Sequence, residues 1–172
     1  MKTNQPLYRA VLAALFAAAI ALATAYLLHI PLPTGGYVHL GDTLIYLAAC
    51  LLPTPYAVCA AAVGAGLADL LTAPEWVPAT LVIKALVALL FTARAERLLC
   101  RRNGLAVALA AVLSPTLYGL AFCLMTGTWA AFLPQFLGTL VQGIGSGAVL
   151  LVLAASLDRM GFKRRVLGRS AH

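Results

Sequence analysis

The stretch Gly35-Gly36-Tyr37-Val38-His39-Leu40-Gly41-Asp42 lies between two long apolar runs and places a carboxylate, Asp42, at the head of the second. An ionisable group inside an apolar membrane segment costs about 2.5 to 3.5 kcal/mol on insertion scales, and such groups mark functional sites by default. Two more follow in comparable settings, Asp69 and Lys84. The fold turns on whether these three meet at one depth.

Working outward from that stretch, the whole chain is built for lipid. Of its 172 residues 63% are hydrophobic and 10% charged, against roughly 45 to 50% and 25% in soluble domains. A spanning helix needs about 20 residues. Six apolar runs are expected as spans, near Leu7 to Leu28, Tyr37 to Leu52, Pro55 to Thr72, Val77 to Leu99, Leu105 to Thr126 and Phe132 to Leu157. The expectation is one all-α domain over residues 1–172, a polytopic bundle of six transmembrane helices.

The formal charge of +7 is distributed by side rather than spread as a nucleic-acid surface would be. Lys2 and Arg9 precede the first run; Arg94, Arg97, Arg101 and Arg102 lie between the fourth and fifth; Arg159, Lys163, Arg164, Arg165 and Arg169 follow the sixth. The remaining links carry no Lys or Arg, so the positive-inside rule predicts a multi-pass protein of the cell membrane with both termini cytoplasmic. The lipid bilayer is the expected partner of this charge, and nucleic acid is not. The first run spans roughly 22 residues, longer than the 7 to 15 of a signal-peptide core, so it is expected to be retained.

Cys50, Cys59, Cys100 and Cys123 show no Cys-x-x-Cys and no zinc spacing, and His29 with His39 makes too small a ligand set for a metal. Neither metal nor cofactor is expected. Two prolines and two glycines in His29-Ile30-Pro31-Leu32-Pro33-Thr34-Gly35-Gly36 exclude a regular helix there. That connector is expected to dip into the membrane and cap a cavity, because non-helical backbone at depth survives only against protein or water.

Helical rise converts the remaining positions to depths. Lys84 falls ~9 Å and Asp69 ~6 Å below the outer ends of their helices, with Asp42 near the start of its own. Thr80 shares a face with Lys84, and Ser114 with Tyr118. Gln135, Thr139, Gln142 and Ser146 repeat at spacings of four, three and four, a polar stripe that an apolar helix has no reason to show to lipid. With Tyr37, His39, Trp76, Tyr118 and Trp129, these residues are expected to line a site for a flat ring. The alternatives at this level are an Asp–Lys pair that only fixes helix register and, for the two tryptophans, an interface belt.

Ile30 to Asp42, then Gly64-Ala65-Gly66-Leu67-Ala68-Asp69-Leu70-Leu71, then Pro78-Ala79-Thr80-Leu81-Val82-Ile83-Lys84-Ala85-Leu86, resemble the membrane-embedded S components of energy-coupling factor (ECF) transporters, particularly the branch taking up B vitamins and precursors of the hydroxymethylpyrimidine and pyridoxine type. The resemblance implies a subunit that captures a small vitamin-like molecule from outside. It implies docking on a T component through small residues of the first helix, here Ala10, Ala14 and Ala18, and a drive from two cytoplasmic ATPase subunits. One departure is the lack of an Asn ahead of Gln142 in the last run. No Gly-x-x-x-x-Gly-Lys-[Ser/Thr] occurs, so ATP hydrolysis falls to other chains. The rivals are a stand-alone permease and an intramembrane aspartyl hydrolase using Asp42 and Asp69 as a dyad; the latter is disfavoured by His39 and Ala68 where a glycine and a tyrosine would be looked for.

Overall fold

The computed structural model describes residues 5–27, 30–31 and 37–167, with side chains for 5–27 and 39–165. The elements in order are α1 (Gln5–Tyr26), β1 (Ile30–Pro31), β2 (Tyr37–Val38), α2 (Gly41–Leu51), α3 (Thr54–Thr72), α4 (Val77–Leu90), α5 (Arg101–Thr126), α6 (Phe132–Arg159) and α7 (Phe162–Leu167). Single 3-10 turns, Pro74–Trp76 and Trp129–Ala131, lead into α4 and α6. The regular structure of the described chain is helical apart from the two-residue strands, which pair antiparallel with Ile30 opposite Val38.

α1, α3, α4, α5 and α6 pack in that order, and α2 fills the gap between α6 and α1 while also touching α3 and α4. The centre of the bundle is therefore a helix of only 11 residues, of which all but Leu44 are buried. Its tip is held where Tyr46 stacks on Phe91 at 5.0 Å, and Thr43 Oγ1 donates to the Ser146 carbonyl of α6 at 3.1 Å. Around it, large apolar side chains such as Leu15, Leu71, Leu124 and Val152 face outward, far more than a water-facing surface carries in one patch.

Close approach of α1 and α3 depends on small residues. Ala13 and Ala17 are buried, and a side chain at Gly64 would come within 2.7 Å of the Ala17 carbonyl oxygen. The two alanine series of α1 thus divide: Ala13 and Ala17 pack inward, whereas Ala10, Ala14 and Ala18 are exposed on the outer face.

Among the described residues, four helices are long and apolar enough to cross a membrane: α1, α3, α5, and α6 with the turn that precedes it. The expected second and fourth spans are shorter than the sequence suggests. α2 begins at Gly41 rather than Tyr37, because Tyr37 and Val38 are drawn into the strand pair. It ends at Leu51; Leu52 is extended, as the residue before a proline prefers.

α4 stops at Leu90 rather than Leu99. Polar side chains from elsewhere take over the backbone groups a longer helix would have used. Asn103 accepts from Thr92 N at 2.8 Å and donates to the carbonyls of Thr92 and Leu98. Both oxygens of Asp158 on α6 accept from the Leu98 and Leu99 amides, at 2.8 and 2.9 Å. At the same end, Lys163 of α7 donates to the Cys50 carbonyl at 2.8 Å, satisfying one of the acceptors left over where α2 ends. Burial pulls the Lys163 pKa below the ordinary lysine value.

Candidate functional site

The start of α2 sets the geometry. His39 Nδ1 accepts from Gly41 N at 3.0 Å, which leaves the proton of a neutral imidazole on Nε2. Gly41 abuts the Thr24 side chain of α1 so closely that no Cβ would fit. The next residue, Asp42, is then in the first helical turn, where the helix N-terminus favours a carboxylate.

Three helices converge on that carboxylate. Lys84 Nζ of α4 donates to Asp42 Oδ1 at 2.6 Å, and Gln142 Nε2 of α6 donates to Oδ2 at 2.9 Å. Lys84 and Asp42 are each 1% exposed. Removing two ions from water costs several kcal/mol each, which mutual attraction offsets only when the remaining lone pairs and protons are also engaged. Gln142 meets part of that requirement on the acid side. On the base side, the ammonium lies 5.1 Å from the centre of the Tyr118 ring, a favourable cation–π distance.

Above the pair lies a cavity of about 50 Å3, bounded by His39, Asp69, Trp76, Lys84, Tyr118, Gln135, Thr139 and Gln142. Its aromatic wall is rigid: Trp76 packs on Tyr118 at 5.7 Å and on Phe122 at 5.5 Å, and the Tyr118 hydroxyl shares a 2.8 Å hydrogen bond with Thr80 Oγ1. Opposite, Thr139 Oγ1 donates to the Gln135 carbonyl at 3.0 Å. The buried Gln135 Oε1 has no hydrogen-bond partner among the described residues. A buried acceptor left unmade costs about 1 to 3 kcal/mol, so a guest with a donor at that point gains an unusually good partner. Lys84 has three protons and spends one on Asp42, giving the opposite side of the void donor character.

The residues singled out in the sequence sort as follows. His39, Asp69, Trp76, Lys84, Tyr118, Gln135, Thr139 and Gln142 come together around the cavity. Asp42 and Thr80 stand one layer behind, each fixing a cavity residue. The three charges do gather, although Lys84 pairs with Asp42 and the resolved ion pair does not include Asp69. Trp129 does not join them: it is 76% exposed in the turn that leads into α6, where an aromatic suits a membrane interface. The Tyr37 side chain and His29 lie outside the described residues.

Two residues were not foreseen: Phe122, which packs behind Trp76 and whose only signal was its position one turn after Tyr118, and Tyr46, whose buried hydroxyl has no hydrogen-bond partner among the described residues. No group of three or more His, Cys, Asp or Glu suited to a metal occurs among the described residues. The Asp42 oxygens are held by an ammonium and an amide rather than by a second carboxylic acid, which is the arrangement of an ion pair and not of a proton-sharing dyad.

The match to known families agrees with this geometry. Residues 4–159 match the family model described as ECF-type riboflavin transporter, S component. Among curated proteins, none matches the chain. That family consists of transporter subunits rather than enzymes, and together with the apolar helices it makes this a multi-pass membrane protein. With nearly all of its length matched, the chain belongs to the S component family of ECF-type riboflavin transporters.

Proposed function

We propose that this chain captures a planar vitamin or vitamin precursor from the outer side of the cell membrane and delivers it through an ATP-driven complex. The observation that carries the reading is the void above the Asp42–Lys84–Gln142 cluster, walled by Trp76 and Tyr118 and fronted by the unpartnered Gln135 acceptor. A ring stacks on the aromatic side, while its polar edge takes charge-assisted hydrogen bonds from Lys84. Six helices form one transmembrane domain in this reading, α2 and α4 crossing as short spans sheltered by the others. The basic residues at the α1-start and α6-end side support cytoplasmic termini.

Energy comes from partners: a T component, docked on the exposed Ala10, Ala14 and Ala18 face of α1, and two ATPase subunits. Close packing of helices in lipid through small residues supports that docking face. The guest itself is of the hydroxymethylpyrimidine or pyridoxine kind. A void of about 50 Å3 is smaller than the ~150 Å3 that takes a benzene-sized guest, so its walls must part to admit any ring, and they part less for one ring than for three. The second reading, riboflavin, rests on the family's description.

A thermal-shift panel on the purified chain separates these guests. A ligand at 100 times its dissociation constant stabilises by about 2.7 kcal/mol. The single-ring compounds are expected to give the shift and Lys84→Ala to erase it; a shift with riboflavin alone transfers the assignment to the flavin. No shift with any vitamin, or full affinity in Lys84→Ala, removes the site. Uptake into liposomes by the chain without ATPases would replace the subunit reading with a stand-alone permease.

A further inference from the structure

A second cavity, of about 300 Å3, lies at the other end of α2. Leu47 and Leu51 of α2 form its buried floor; Leu12 and Phe16 of α1, Leu153 of α6 and Phe162 of α7 form half-buried walls. Every lining side chain among the described residues is apolar, so water entering it finds no hydrogen-bonding partners among them. An apolar cavity of ~150 Å3 holds a benzene-sized guest; this one asks for a longer apolar chain. It lies between α1 and α6, which pack on α2 from either side, and what surrounds such a bundle in a membrane is lipid.

The rim is basic. Arg9 stands one turn before Leu12 on α1, Arg159 closes α6, and Arg164 and Arg165 are exposed on α7 just after Phe162. The Lys163 bond to the Cys50 carbonyl fixes α7 against the end of α2, so Phe162 and the two arginines keep a set relation to the cavity. The acid nearest in sequence, Asp158, is turned to the Leu98 and Leu99 amides. An apolar slot with a cationic collar matches one molecule that a membrane supplies at that depth.

We propose that this cavity holds one acyl chain of an anionic phospholipid, drawn from the leaflet where α1 begins and α6 ends, with its phosphate on Arg9, Arg164 and Arg165. Clustered Lys and Arg at a membrane surface recognise anionic headgroups by the same attraction. The site is independent of which vitamin the first cavity takes.

The test is native mass spectrometry of the purified full chain after incubation with vesicles of phosphatidylglycerol or of phosphatidylcholine. One phosphatidylglycerol adduct per chain is expected to survive, at least fivefold more abundant than the phosphatidylcholine adduct. Leu153→Trp fills the cavity and is expected to lose the adduct. The double variant Arg164→Glu with Arg165→Glu alters only exposed positions, so folding is not at stake, and it is expected to bring the two lipids to near parity. Equal retention of both lipids by the unaltered chain, or a wild-type adduct in either variant, overturns the proposal. So does absence of any lipid adduct, the result expected if the slot receives an apolar segment of a partner protein.

Discussion

α2 has two ends, and they are built on opposite principles. At its start a small void is surrounded by buried polar groups from α2, α3, α4, α5 and α6, each oriented by another. At its finish a cavity about six times larger is lined, among the described residues, by apolar side chains alone. Volume alone would name the second as the ligand site. Chemistry names the first, because buried polar groups are costly and persist where something repays the cost, whereas an apolar slot discriminates by shape and length alone. The comparison teaches that in a membrane bundle a pocket is identified by what its walls would lose without a guest.

The comparison breaks most easily at Asp42. Asp42→Ala leaves Lys84 buried without its counter-charge and is expected to destabilise the chain by about 3 to 5 kcal/mol, read as the midpoint of thermal unfolding in detergent. Pairing Asp42→Asn with Lys84→Met is expected to recover much of that loss while ligand binding stays absent; recovery of both would make the pair a register device only.

At the other end, Lys163→Met leaves the Cys50 carbonyl without its side-chain donor and is expected to cost about 1 to 3 kcal/mol. Vitamin affinity is expected to be unchanged, and a matching loss of affinity would mean that the two ends are coupled through α2. Gln135→Leu sharpens the polar end. Because Oε1 has no hydrogen-bond partner among the described residues, stability is expected to hold or rise slightly, while vitamin affinity falls roughly tenfold, the equivalent of about 1.4 kcal/mol, by titration calorimetry. Trp129→Ala is expected to change stability by no more than about 0.5 kcal/mol and affinity not at all; a clear loss of binding would bring that turn back into the site.

The polar end was largely legible in the sequence. Charged and amide side chains in apolar helices have few places to go, so Asp42, Lys84 and the Gln135–Gln142 stripe pointed to one another through spacing and depth alone. What escaped was decided by residues distant along the chain. Nothing in Phe91 to Leu99 breaks a helix by composition; Asn103 and Asp158 break it by offering its backbone other partners. Lys163 looked like one more charge in a basic tail, and only the packing of α7 reveals it as the buried cap of α2. Trp129 and Trp76 were indistinguishable as aromatics near helix ends, and their fates separated only when α5 supplied Tyr118 and Phe122 to one of them.

The shortness of the central helix has a consequence for how the protein tolerates its surroundings. Eleven residues rise ~16 Å, about half a hydrocarbon layer, and all but Leu44 are buried among the surrounding helices. Thickening or thinning the bilayer tilts exposed spans at a cost of fractions of a kcal/mol per Å, but the buried rod has no length to match. Ligand affinity is thereby expected to be insensitive to membrane thickness, the same in short-chain and long-chain lipid.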